Sequence, residues 1–182
     1  PENKVPEKAL PYPWESCIIA GGSWSWVPNA TYFSGRETVH LLVDIVAKGG
    51  NLLLNIAPGP EGQWHDGAYK MLDQIGQWMD VNSEAIYETR AIAPYKSENI
   101  CLTHKPDGTT YVIYLAEESE KEMPAEIKLN KELTLKFKKV YLLGYSKPLK
   151  WVASDQGWEV KIPVELQKNP PTDFAWVLKF QP

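Results

Sequence analysis

The chain has 182 residues, enough for one large or two small domains, and its 43% hydrophobic and 23% charged residues are the balance of an ordinary globular protein. A net charge of −4, a pI near 5.5 and the lack of any basic cluster argue against nucleic acid and anionic membrane as partners. No apolar run approaches the roughly 18 residues of a spanning helix, so none is expected to cross a membrane.

Residues 1 to 13 carry Pro1, Pro6, Pro11 and Pro13 among charges and read as an extended surface approach. A chain that opens at Pro1, without initiator Met or signal peptide, reads as a processed, trimmed or partial product. Trp14 to Ala20 turns apolar quickly and predicts a short strand. Glu15 stands there between Trp14 and an apolar run. Desolvation raises a carboxyl pKa and suits it to acid/base work, whereas pairing with an Arg or Lys at a strand end is the structural alternative. Gly21 to Trp26 alternates two indoles with glycine and serine, a pattern fit for a strand-to-loop junction lining a pocket. Residues 27 to 33, with Pro28 and Tyr32, form the next loop, and its Asn29-Ala30-Thr31 triplet is too frequent by chance to carry weight.

Ser34 and Glu37 have the spacing of a capping box, in which hydroxyl and carboxylate satisfy orphan N–H groups at a helix start. The helix runs to about Lys48, with Val39, Leu42, Val43 and Val46 as its stripe, Leu41 and Ile45 widening it, and Gly49 as a left-handed stop. Gly49 to Pro58 follows as a strand without alternation, hence buried on both faces as in a parallel sheet. The turn from Pro58 to Gly62 leads to a second amphipathic helix capped by Asp66, with Ala68, Met71, Leu72, Ile75, Trp78 and Met79 on its apolar face. Ile86 and Tyr87 extend that packing. Helix, buried strand and helix make a piece of a parallel α/β fold, whose active groups belong at the carboxyl ends of the strands, here around Asn55 to Pro58.

Beyond Pro94 the pattern is strand and turn: Asn99 to His104, a turn at Pro106 to Gly108, Thr109 to Leu115, then Glu126 to Leu129, Leu133 to Phe137, Val140 to Leu143, Trp158 to Ile162 and Ala175 to Phe180. Glu117 to Glu122 is a solvated loop. Short strands at this spacing predict a β-sandwich, with no internal repeat. The expected organisation is an α/β unit at residues 1–92 and an all-β unit at 93–182. Cys17 and Cys101 read as two buried free thiols, a disulfide between them being the other option. His40, His65 and His104 lack metal spacing, so no metal and no cofactor is expected. Eight Trp and nine Tyr remain in excess. An indole matches the apolar C–H face of a pyranose, which makes sugar binding one reading and a β-rich core the other.

Trp14-Glu15-Ser16-Cys17, Ser23-Trp24-Ser25-Trp26, Leu41-Leu42-Val43 to Gly49-Gly50-Asn51-Leu52-Leu53-Leu54-Asn55-Ile56, and Asn82-Ser83-Glu84-Ala85-Ile86-Tyr87 occur in one order over the first half of the chain. The series resembles the α-L-fucosidases of glycoside hydrolase family 29. The resemblance implies the terminal portion of a (β/α)8-like barrel, of the TIM-barrel type, followed by an antiparallel β-sandwich. It also implies retaining exo-hydrolysis of terminal α-L-fucosyl links by an aspartate nucleophile and a carboxylic acid/base. The nucleophile's strand lies upstream in the family and has no match here. Trp64-His65-Asp66-Gly67 looks superficially like the nucleophile motif, but its place after the last barrel strand makes Asp66 a helix cap. Glu15 matches the glutamate that serves as acid/base in some members. In others a carboxylate a little further upstream takes that role, in a region expected to be absent from this chain. Glu15 is therefore the candidate acid/base, with a role beside the reacting groups as the alternative. Trp24 matches the aromatic that packs on the fucose ring. Trp26 is a weaker match, because the family commonly has Gly-Tyr where this chain has Ser25-Trp26, and Asn55 would orient neighbours.

The partners so implied are a fucosylated glycan and the rest of the catalytic domain, with oligomerisation open. The implied location is exported: periplasmic, secreted or lysosomal. A non-catalytic carbohydrate-binding sandwich is the competing reading, and a scaffold domain has only the aromatic richness in its favour.

Overall fold

The computed structural model describes residues 1–133 and 135–182. Two strands, β1 (Trp14–Ile19) and β2 (Gly50–Asn55), pair in parallel over their full length, and α1 (Gly35–Ala47) crosses between them. The capping box forms as the sequence predicts: the Glu37 N–H donates to Ser34 Oγ at 3.2 Å, and the Glu37 carboxylate accepts the Ser34 N–H at 2.7 Å. These bonds hold the Glu37 carboxyl below its usual range. At the other end Gly49 takes φ +82°, where a side chain would be strained. Gly50 permits a close approach, since a Cβ there would lie 2.5 Å from the Trp14 indole.

After β2 comes α2 (Asp66–Asn82). The expected cap is corrected: His65 is the N-cap residue, it makes no side-chain cap bond, and Asp66 is the first helical residue. An exposed carboxylate in that first turn favours the helix dipole without capping it.

The rest of the chain forms two antiparallel sheets. The larger has the order β3-β4-β5-β10-β7, from β3 (Arg90–Ser97), β4 (Ile100–His104), β5 (Thr110–Leu115), β7 (Lys139–Leu142) and β10 (Ala175–Gln181). The smaller has the order β6-β9-β8, from β6 (Glu126–Asn130), β8 (Lys150–Ser154) and β9 (Gly157–Lys161), with a short helix α3 (Val164–Lys168) before β10. Leu102, Val112, Leu178 and Phe180 meet Ile127, Leu129 and Val160 in the core between the sheets. The opposite face of the larger sheet, with Cys101, Tyr111, Ile113 and Val177, packs on Val39, Val43 and Ala47 of α1 and on Trp78 of α2. The larger sheet is therefore a middle layer, covered on both sides. That explains the unbroken apolar runs Tyr111-Val112-Ile113 and Ala175-Trp176-Val177-Leu178, which no one-sided sheet would need.

Polar contacts tie the layers together. Trp78 Nε1 donates to the Ala175 carbonyl at 2.9 Å and Thr103 Oγ1 to the Ala85 carbonyl at 2.8 Å. Lys179 Nζ reaches the Glu84 carboxylate at 2.9 Å.

Several expectations change. β3 runs through Pro94, where the sequence suggests only a break, because the proline sits in a register shift on an edge strand and removes no ladder bond. β8 and α3 are unforeseen. Of the strand expected at Leu133 to Phe137, Thr134 lies outside the described residues, while 131–133 turn and 135–137 are irregular. β2 is not buried on both faces: Leu53 is 49% exposed, because among the described residues no layer packs over the face it shares with Glu15 and Cys17. Both cysteines are free, as preferred, but only Cys101 is buried; Cys17 is half-buried.

Two outcomes follow from this packing. Ser34→Ala should lower stability by about 1 kcal/mol at neutral pH. Glu37's folded pKa is depressed, so the box stabilises above its unfolded value and the loss should shrink as pH falls through the folded one, which urea titrations at pH 7 and pH 3 would read. Burial pushes the Cys101 thiol up to about 12, so iodoacetamide at pH 8 should leave Cys101 unmodified in the folded protein and alkylate it in denaturant, as peptide mapping would report.

Candidate active site

The carboxyl ends of β1 and β2 are held level by the Ala20 N–H, which donates to the Asn55 carbonyl at 3.0 Å. Phe33 returns to the same place, its N–H on the Ala20 carbonyl at 3.1 Å, so the loop carrying both tryptophans is closed at its base. Tyr32 lies against the Gly21 backbone so closely that a Cβ at residue 21 would be 2.9 Å from its ring. The Tyr32 hydroxyl and His65 Nδ1 are 3.1 Å apart. On His65 lies Trp26, stacked with centroids 5.2 Å apart and planes 5° apart. Trp24 is 41% exposed, and its carbonyl accepts from Asn55 Nδ2 at 3.4 Å. Trp64 and Tyr69 pair nearby in sequence at 5.6 Å.

The structure thus brings together Trp24, Trp26 and Asn55 at the end of the parallel pair where an α/β active site belongs. Two further residues, Tyr32 and His65, complete the shelf. His65 was legible only as a scattered histidine, since its partners come from residues 26 and 32 and no local spacing marks them. Its Nε2 is buried without a partner among the described residues.

Glu15 is elsewhere, and its expected surroundings are corrected. It is the second residue of β1, about 13 Å short of the strand's carboxyl end at about 3.3 Å per residue. It is exposed, not desolvated, and no ion pair among the described residues includes it. Strand alternation explains this. Trp14, Ser16 and Ile18 face the buried side of the sheet, whereas Glu15, Cys17 and Ile19 share the open face with their partners Asn51, Leu53 and Asn55.

A third parallel segment lies beside β1. Glu2 bridges Cys17 in parallel, with the Cys17 N–H on the Pro1 carbonyl at 3.0 Å and the Asn3 N–H on the Cys17 carbonyl at 2.8 Å. Bridged residues share a face, so Glu2 stands on the open face, two positions nearer the carboxyl end than Glu15. Nothing in the sequence of this proline-rich approach signals such a role. Asp66, at the start of α2, points to no nucleophile geometry beyond the helix end it occupies. Among the described residues no three His, Cys, Asp or Glu side chains converge to hold a metal.

Comparison with known proteins gives this arrangement its relatives. The family model for α-L-fucosidase matches residues 1–84, and that for the α-L-fucosidase C-terminal domain matches residues 95–181. The chain is 33% identical over 188 residues to the plasma α-L-fucosidase of Homo sapiens, covering 95% of this chain and 38% of that protein. Against the α-L-fucosidase of Branchiostoma floridae the identity is 31% over 179 residues, covering 92% and 38%. Among solved structures, α-L-fucosidase isoenzyme 1 of Paenibacillus thiaminolyticus superposes with a TM-score of 0.84 at 26% identity, over all of this chain and 44% of that one. The Thermotoga maritima α-fucosidase in complex with fucose gives 0.78 at 27% identity, over 94% and 40%. The chain spans about two fifths of the length of these relatives, and its architecture is the end of a (β/α)8-like barrel followed by an antiparallel sandwich. By sequence and by fold, the chain belongs to the α-L-fucosidases.

Proposed function

We propose that this chain is the carboxy-terminal share of a retaining exo-α-L-fucosidase, the residues before β3 at Arg90 belonging to its catalytic barrel and those from Arg90 on to its sandwich. The observation that carries the reading is the aromatic shelf at the carboxyl ends of a parallel strand pair whose other face, with Leu53 and Asn51 exposed, lacks cover within the chain. Further barrel strands would bury that face and close the site over the shelf. An independent sugar-binding module would have no use for it.

In this reading a terminal α-L-fucosyl group of a glycan packs on Trp24, whose exposed indole offers a flat apolar surface to the sugar's C–H face and methyl group. Trp26 acts one step removed: stacked on His65, it fixes the loop that presents Trp24. Asn55 holds the Trp24 carbonyl from the strand end. Retention requires two carboxyl groups about 5 to 5.5 Å apart, one forming a covalent glycosyl intermediate and the other protonating the leaving oxygen. The nucleophilic aspartate is supplied by a strand outside this chain. For the acid/base, Glu2 replaces Glu15, because it faces the open side of the sheet nearer the carboxyl end and is the carboxylate a little upstream of the Trp-Glu pair. The exposed Glu15 at the strand's start is left with no chemical task. Export is the location we propose, in keeping with relatives named as plasma enzymes.

In the full-length protein, whose mass should lie well above 20.6 kDa, Glu2→Gln should lower hydrolysis of an aryl α-L-fucoside by about 10² to 10⁴, less so for better leaving groups. Glu15→Gln should stay within a few-fold of the parent. The reverse pattern would return the acid/base role to Glu15, and no turnover by the parent would remove the fucosidase reading altogether. Trp24→Ala should reduce kcat/KM by roughly 10- to 100-fold, about 1.4 to 2.7 kcal/mol of lost transition-state stabilisation, and an unchanged value would take the fucose off this indole.

A further inference from the structure

The outer layer of the sandwich leaves an aromatic side chain open where the core should close. β8 is the edge strand of the smaller sheet and all five of its residues are exposed. Its register pairs Trp151 with Val160 and Ala153 with Trp158. Val160 is fully buried between the sheets, so Trp151 stands on the core-facing side of its strand, and yet it is 37% exposed. The ring is not loose. Phe137 meets it edge-on with centroids 4.8 Å apart and 63° between planes, and Phe137 in turn contacts Trp158 at 6.0 Å and Phe180 at 4.7 Å. Between these walls and Pro182 lies a cleft of about 410 Å³, with Lys136 and Lys138 on its rim.

The charge around this cleft runs against that of the whole molecule. The chain carries net −4, but the lining of the cleft includes Lys136 and Lys138 and no Asp or Glu. Irregular chain at 135–138 delivers both lysines there. Among the described residues neither Lys136 nor Lys138 takes part in an ion pair. Indole and phenyl walls match the apolar face of a pyranose, and ammonium groups at the rim match a sulfate or carboxylate on that ring.

We infer that the Phe137–Trp151–Trp158 cleft is a second saccharide site, one that binds sugars bearing an anionic group. It lies on the small-sheet side of the sandwich, whereas α1 and α2 pack on the opposite face of the middle sheet, so it is separate from the Trp24 shelf and independent of the fucosidase reading. Its role is to hold the protein on acidic glycans while the other site works.

The test uses the full-length protein with a heparin-derived hexasaccharide as the anionic probe and maltohexaose as the neutral one, followed by titration calorimetry and tryptophan fluorescence at two salt concentrations. The expected result is saturable binding of the anionic probe that weakens with salt and falls at least tenfold in Trp151→Ala and in Lys136→Gln/Lys138→Gln, with hydrolysis of a small aryl fucoside unchanged. The lysine variant carries the test if loss of the indole compromises folding. Absence of saturable binding, equal binding of maltohexaose, or binding that survives the lysine substitutions would overturn the site. A dimer that dissociates in Trp151→Ala would also overturn it, by giving the cleft to a second copy of the chain.

Discussion

The larger antiparallel sheet has to be covered on both faces, and the rest of the molecule follows from that requirement. Tyr111, Ile113, Ala175 and Val177 face one way, Val112, Trp176 and Leu178 are packed the other way, and none is more than 2% exposed. A side chain of this size contributes about 1.5 to 3 kcal/mol on burial, so a bare face would cost far more than the few kcal/mol by which such domains are stable. The smaller sheet covers one side. The helices that also serve the parallel strand pair cover the other, and α1 contacts both β2 and β4. Trp78 is the deepest expression of this sharing: it is 1% exposed within the layer, with its indole N–H satisfied by the Ala175 carbonyl. The position of the Trp24 shelf is thereby tied to a sheet that takes no part in it.

Burial is asymmetric where the chain meets the expected catalytic centre. Trp14, Ser16 and Ile18 are covered on the helix side of the parallel pair, while Glu15, Leu53 and Asn51 on the other face are not. A strand has only two faces, so the same alternation that anchors Trp14 against Gly50 sends Glu15 outward. Glu2 enters the same face from a third segment held by backbone bonds to Cys17 and by side-chain bonds from Ser16 Oγ to the Lys4 carbonyl and from the Ile19 N–H to Asn3 Oδ1. The carboxylate's place is thus set by height along the strand direction rather than by apolar neighbours in sequence.

Seven of the eight tryptophans divide into three populations that composition could not separate, while Trp64 pairs with Tyr69. Trp14, Trp78 and Trp176 are buried and structural, each with its indole N–H bonded to a backbone carbonyl. Trp24 and Trp26 build the shelf. Trp151 and Trp158 line a cleft at the far side of the sandwich. Core filling accounts for the buried members, while sugar contact is what we propose for the others.

What the sequence alone determined is whatever is encoded within a turn or two of chain. The Ser34–Glu37 box, the Val39–Val43 stripe and the Gly49 stop place α1 almost to the residue, and the apolar runs of β4, β5 and β10 are similarly local. Recognition of the family rests on such short, ordered motifs. Only the tertiary structure decided which face of each strand is covered, because that depends on partners supplied from far along the chain. Leu53 looks like core and is half exposed, because nothing among the described residues covers the face of the parallel pair on which it stands. Glu15 looks desolvated but is exposed within this chain, on the face that further barrel strands would cover, whereas His65 finds Trp26 and Tyr32 more than thirty residues away. The all-exposed β8 escapes notice because an edge strand bonded on one side, with one inward indole left open, has too little apolar pattern to announce itself.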